Sequence, residues 1–418
     1  MQKYKINNNF FYKEIALFFV LYLSLILSFI LSENSTGGAI VDYYNQKNIS
    51  RHFANDFYNT LLNYDNYSSR HSPILIILQS YLEKLYFTDN FIRLLHLHLS
   101  LFLPYIFFKI IREKANYVNK NIALILSSLI FLSPTFRSLS IWPDSRLLGL
   151  MFFSLSILFY LKFINSKKYK FAILNVLTCI ISSYISPNFS VFSLFFLLNF
   201  TFHYGFFSKE IFVIVIINIM ASIPAFYYIF ILDVNFLNKA AAVGGLLERN
   251  NILFINIFNN ILITFSIIFF YLIPFLFTKV IEVKNVINLK NILLSILIFS
   301  VLAFNFNYEY DLSGGGILFK VSYFLFKNNF LFFIMSFISV LFVLPILREN
   351  KINILIFLLI ILNNPQYTIY HKYFDPFLLI SFFSIFIFNT NLNLINSNKN
   401  IFYIFSFFLS FLIISVYK

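Results

Sequence analysis

General-base and metal-ligand chemistry needs carboxylates, and this chain has few: 17 Asp and Glu in 418 residues. Asp42 follows closely on the first apolar run, beside Gly37 and Gly38 and ahead of Tyr43 and Tyr44. A carboxylate there, at the outer membrane boundary next to flexible backbone, suits a base that deprotonates an acceptor hydroxyl while a lipid-borne leaving group stays anchored below. It equally suits a residue that caps or solvates a surface helix. Asp144 stands in Ile141-Trp142-Pro143-Asp144-Ser145-Arg146, preceded by Ser133-Pro134-Thr135-Phe136-Arg137. This reads as a tight outer turn with an acid at a helix start, fit to bind a metal or orient a substrate. The plainer reading is a helix cap, worth about 1 kcal/mol.

Cations accompany these acids. Arg70-His71-Ser72-Pro73 opens one apolar helix, Phe91-Ile92-Arg93-Leu94 opens the next, and Tyr370-His371-Lys372-Tyr373-Phe374-Asp375-Pro376 precedes a late span. Fixed cations in a low-dielectric site favour a phosphate. Arg93 also reads as a snorkelling span-end cation, and Lys372 as an anchor in an aromatic belt. Gly314-Gly315-Gly316 after Asp311 lacks the helix context of a phosphate loop and reads as a turn. His96 and His98 sit two apart on a helix and make a poor metal pair. The single cysteine, Cys179, excludes an intramolecular disulfide, and no nucleotide-binding motif, Cys/His metal set or nucleophile elbow appears.

Membrane-spanning helices must position these groups. Hydrophobic residues make up 60% of the chain and charged residues 11%, too few to coat a soluble protein of this size. The first run, 16–31, follows Lys3, Lys5 and Lys13, which puts the amino terminus in the cytoplasm on an uncleaved anchor. Residues 33–90 then form the first extracytoplasmic loop. In it Phe53, Phe57 and Leu61 predict an amphipathic helix lying on the membrane, with Arg51 and Asp56 facing water, and 73–87 predicts an interfacial or half-inserted helix. Further runs, among them 91–111, 121–138, 146–164, 171–186, 352–363 and 375–389, bring the expected total to about 13 crossings. The reading is one integral-membrane domain over 1–418, with a transmembrane core at 91–232 and C-terminal helices and outer loops at 233–418. Sorting basic residues to the inside accounts for the net charge of +14 and removes nucleic acid as a partner. Most acids fall outside, so an active site should face outward.

In order along the chain come Asp42 with its tyrosine, the Arg70-to-Pro73 segment, the Arg93 segment and Asp144 in a second outer loop. This series resembles the GT-C superfamily of membrane glycosyltransferases, in its protein-mannosyltransferase and aminoarabinose-transferase branch, over roughly the first 165 residues. Asp42 stands alone where an acidic pair is common, and Ser72-Pro73 stands for Pro-Pro. The resemblance implies an all-α, GT-C-like bundle that transfers a sugar from a polyprenyl-phosphate carrier to a glycan, lipid or protein acceptor on the outer face, with inversion. It implies Asp42 as catalytic base, Asp144 as the second-loop acid, and Arg70, His71 and Arg93 as holders of the carrier phosphate. His371 and Lys372 match an Arg-Tyr segment before a late span in that branch and join the substrate-binding set. The acids would also suit a divalent cation. Two other classes stay open: a surface-polysaccharide polymerase or ligase, and a non-enzymatic lipid-linked oligosaccharide flippase or transporter.

Overall fold

The structure is a computed structural model that describes residues 8–417 apart from 68, 70, 116, 235–256, 310–313 and 367. Arg70 and Asp311, both singled out in the sequence, lie outside the described residues. Among the described residues the chain is all-helical, with one isolated antiparallel bridge between Ile281 and Thr390. Six helices among these residues are long and apolar enough to cross a membrane: Asp89–Lys114, Ser145–Ser166, Lys209–Ile231, Ile257–Phe277, Phe330–Glu349 and Asn398–Val416. Helices close their own backbone hydrogen bonds, which apolar surroundings require, and this set fits a multi-pass membrane protein.

Among the described residues length and apolarity give six spans, or seven if one bent pair is a single span, so the expected count of about 13 crossings is not confirmed. Run 121–138 is two helices, Lys120–Leu132 and Pro134–Ile141, bent by 67° where Ser133 and Pro134 intervene. Pro134 lacks an N–H and starts the second helix, while Ser133 Oγ accepts from Phe136 N at 2.9 Å. Run 375–389 holds a helix of six residues, Phe377–Phe382, buried throughout. Apolarity marks removal from water, whether into lipid or into protein. Here it marks protein interior.

The first-loop region also differs from its reading. One helix runs Ala39–Asn55 and stops at Asp56, whose side chain accepts from Asn59 N at 3.1 Å to start Phe57–Leu62. Phe53, assigned to a lipid-facing stripe, is fully buried in a satellite core with Ile49, Tyr64, Ile76 and Val234. Helix Pro73–Lys84 packs on Ala39–Asn55 and completes that core.

Close helix packing supports the remainder. Ser145–Ser166 ends at Lys167, in the left-handed region at φ 56°, and reverses into Tyr169–Ile185. A Cβ on Gly149 would lie 2.5 Å from Ser186 Cβ, so glycine is what lets these helices approach, and Ser182 Oγ donates to Gly149 O at 2.8 Å. Phe153 in the same helix packs against Phe189, Phe192, Phe196 and Phe377.

Candidate active site

The short helix Pro134–Ile141 is buried along its whole length and ties together three distant parts of the chain. From one side it receives the end of the first helix. Arg137 Nε donates to both Glu33 carboxylate oxygens at 3.1 and 3.0 Å, its Nη1 to Ser24 Oγ at 3.0 Å, and its Nη2 to Ser28 Oγ. Trp142 Nε1 donates to Glu33 O at 2.9 Å, Thr36 N to Ser138 Oγ at 3.0 Å, and Ser35 Oγ to Pro134 O at 2.9 Å. These bonds fix residues 33–36 and so the start of the helix that carries Asp42.

From the other side the same helix receives the segment before Phe377–Phe382. Asp375 Oδ2 accepts from Ser133 Oγ at 2.6 Å and from Thr135 N at 3.0 Å. Burial pushes the Asp375 carboxyl above its usual range, against the pull of those donors. The glycine run supports this segment from behind. Gly315 N donates to Ile369 O at 2.8 Å and Ile369 N to the Tyr308 hydroxyl at 3.2 Å. Gly314 has φ +120°, and a Cβ there would lie 2.7 Å from Ile369 O. The run is therefore a close-packed turn, as read from the sequence, with the Gly315 amide bonded to the chain.

Held on two sides, Asp42 and Lys372 meet across 330 residues: Lys372 Nζ donates to Asp42 Oδ2 at 3.0 Å. His71 and Asp144 join them. One carboxylate oxygen each from Asp42 and Asp144 and one ring nitrogen of His71 lie within 4.8 Å of one another. Asp144 caps helix Ser145–Ser166, with Oδ1 accepting from Arg146 N at 2.7 Å, so the cap expected from the sequence is present. His71 Nδ1 lies 3.1 Å from Ser145 Oγ. Gly38 closes the rim, with an added Cβ 3.9 Å from both Asp42 Oδ2 and Lys372 Nζ.

Burial pushes the Asp144 carboxyl up, but His71, Arg146 and Lys372 together with the Arg146 amide outweigh it and hold the group below its usual range. Burial pushes Lys372 down, and Asp42, Tyr373 and Asp144 overcome that effect, so its ammonium is held above its usual range. The cluster is a partly exposed group of two carboxylates, an imidazole and an ammonium.

Two expected members stand elsewhere. His371 turns into an aromatic pocket, stacked on Tyr271 at 5.5 Å between ring centroids and edge-on to Phe270 and Phe411. Neighbours in a tight 3-10 turn point apart, which sends Lys372 to the cluster and His371 away from it. Arg93 is buried with its guanidinium 3.6 Å over the Trp142 ring, its Nε donating to Ile141 O at 3.2 Å. It is no free snorkelling cation: it braces the turn that leads into Asp144.

Arg146 was missed in the sequence. It lies 3.6 Å over the Tyr373 ring and acts electrostatically on both Asp144 and Lys372. Its place two residues after Asp144, at a helix start, was the available signal. No protein-family model matches this chain, and no curated protein or solved structure matches it.

Proposed function

We propose that this protein is a membrane-embedded glycosyltransferase of the GT-C type, moving a sugar from a polyprenyl-phosphate donor to an acceptor on the outer face of the membrane with inversion. The observation that carries the reading is the convergence of Asp42, His71, Asp144 and Lys372, four residues named as a site from their types and order, in one cluster.

Asp42 is the general base. Its carboxylate takes the acceptor hydroxyl proton as the oxygen attacks the anomeric carbon, and the bond to the carrier phosphate breaks on the opposite face. A base in this role contributes about 10²- to 10⁴-fold. Arg146 supplies positive charge for the departing phosphate, where a preformed charge in dry surroundings acts most strongly, while Lys372, bonded to Asp42, holds the base in place. Asp144 acts electrostatically on both cations from within the cluster. Arg146 is held over the Tyr373 ring and Lys372 is tethered to Asp42, so neither has to be ordered when substrate arrives.

The test is sugar transfer from a purified polyprenyl-phosphate donor in liposomes, comparing wild type with Asp42→Asn at matched protein abundance. A fall of about 10²-fold or more is expected. Undiminished transfer by the variant would remove Asp42 as base.

A further inference from the structure

Lys372 lies near the end of a segment, 363–373, that base catalysis leaves largely unused. The segment is pinned at both ends. Asn188 Nδ2 donates to Asn363 O at 2.7 Å, and the Tyr373 hydroxyl donates to Gln366 Oε1 at 2.7 Å. Between these anchors its amides go unfilled. Asn363 Oδ1 and both amide atoms of Asn364 are buried with no hydrogen bond among the described residues, and Gln366 Nε2 takes none there either. Asn364 is 4% exposed, so water does little to replace the missing bonds. Tyr370 and Tyr373 add two partly exposed rings, edge to face at 5.4 Å. The Arg146 guanidinium covers the second, and Lys372 Nζ lies 5.5 Å from the centre of the first.

We infer that this segment reads the acceptor and that the acceptor is a carbohydrate. An amide both donates and accepts, which matches neighbouring hydroxyls on a sugar ring, since each hydroxyl does both. An anion only accepts, and the unfilled oxygens of Asn363 and Asn364 would repel it. The negative face of a tyrosine ring suits the C–H face of a sugar, and Tyr370 is partly exposed. A lipid acceptor would call for apolar walls, whereas amides and phenols line this segment. A peptide is often read through its main chain by an exposed strand edge, and none is present among the described residues. Because Lys372 bonds Asp42, a ring seated on Tyr370 and Gln366 lies beside the base that takes its proton. Asn364 is sealed from water, so the sugar fills its amide by displacing the side chains that cover it. Assigning the bound ring to the acceptor rests on the glycosyltransferase reading; the binding of a sugar does not.

The experiment uses the full chain in a detergent without a sugar headgroup, followed by saturation-transfer NMR. The probes are methyl glycosides and disaccharides of glucose, galactose, mannose and N-acetylglucosamine, with a short peptide containing Ser and Thr as the competing class. Saturation should reach the ring protons of at least one glycoside and not the peptide. Asn364→Leu should weaken that binding about tenfold, the size of one lost hydrogen-bonded pair, while the melting temperature holds or rises because the wild-type amide is unfilled. Tyr370→Leu should weaken it as well, and Tyr370→Phe, which keeps the ring, should not. Saturation of the peptide alone, or of no glycoside, overturns the site. So does an Asn364→Leu chain that binds sugar normally. In transfer assays the same variant should raise KM for a glycan acceptor and leave KM for the polyprenyl-phosphate donor unchanged; a rise for the donor alone overturns the acceptor assignment. Transfer confined to peptide or lipid acceptors would sink this inference and leave the glycosyltransferase reading standing. Sugar bound through Asn364 and Tyr370 without any transfer would do the reverse.

Discussion

Glu33–Arg137 and Asp42–Lys372 are both acid–base pairs, at 2.9 and 3.0 Å, and both join the first hundred residues to distant sequence. Their surroundings separate them. Side chains of the first pair are 10% and 6% exposed, and its guanidinium is further occupied by Ser24, Ser28 and the Phe131 carbonyl. Side chains of the second are 31% and 20% exposed and face a second carboxylate and an imidazole. Equal ionic distances therefore serve opposite ends. A pair whose hydrogen-bonding capacity is filled holds the fold, and a pair left partly unfilled beside other titratable groups is available for chemistry.

The sharpest break of this comparison is Arg137→Met. Removing one partner strands the buried Glu33 carboxylate, which costs about 3–5 kcal/mol. The expected result is a large fall in apparent melting temperature in detergent, together with lost transfer, since residues 33–36 and helix Ala39–Asn55 lose their anchor. A melting temperature within a few degrees of wild type would show that the clamp is not what seats Asp42.

Second in size is Gly314→Ala, which acts on the other half of the site. At φ +120° an alanine is strained, and its Cβ would press on Ile369 O and the Tyr308 hydroxyl, 2.7 and 2.8 Å away. Strain of this kind costs about 1–3 kcal/mol. The segment that carries Lys372 should shift, so transfer should fall more than stability does. Thermal melting and initial rates on the same preparation compare the two.

These contrasts also mark what the sequence could carry. Asp42, His71, Asp144 and Lys372 were legible because acids and cations are rare in an apolar chain and these stand where apolar runs begin or end. Their partners were not. Arg137 read as part of an outer turn, yet it lies in a buried helix and pairs with Glu33 across 104 residues, a relation that local pattern does not contain. Asp375 read as the start of a span and proves to be a buried acceptor for Ser133 and Thr135. The helical class followed from apolarity, whereas the number of crossings did not, because lipid and a phenylalanine-rich interior select the same residues. Run 121–138 shows the difference: its bend at Pro134 turns an expected straight span into the hub of the site.

A smaller effect is expected at Lys372. Replacing it by Met removes a partly exposed pair, and such pairs contribute about 0–1 kcal/mol. Melting should scarcely move while transfer drops, the opposite balance to Arg137→Met. Equal losses of stability in the two variants would erase the distinction between the pairs.

The smallest stability change is expected at Asp144, where two substitutions separate its two uses. Asp144→Ala deletes the cap on Arg146 N and should lower stability by about 1 kcal/mol. Asn caps a helix about as well as Asp, so Asp144→Asn should melt within a few tenths of a kcal/mol of wild type. It nevertheless removes the negative charge that faces His71, Arg146 and Lys372. If the carboxylate serves the chemistry, both variants lose transfer to a similar degree although one of them is stable. Should Asp144→Asn retain wild-type transfer while Asp144→Ala is merely less stable, Asp144 is a cap and nothing more, and the working cluster contracts to Asp42, His71 and Lys372.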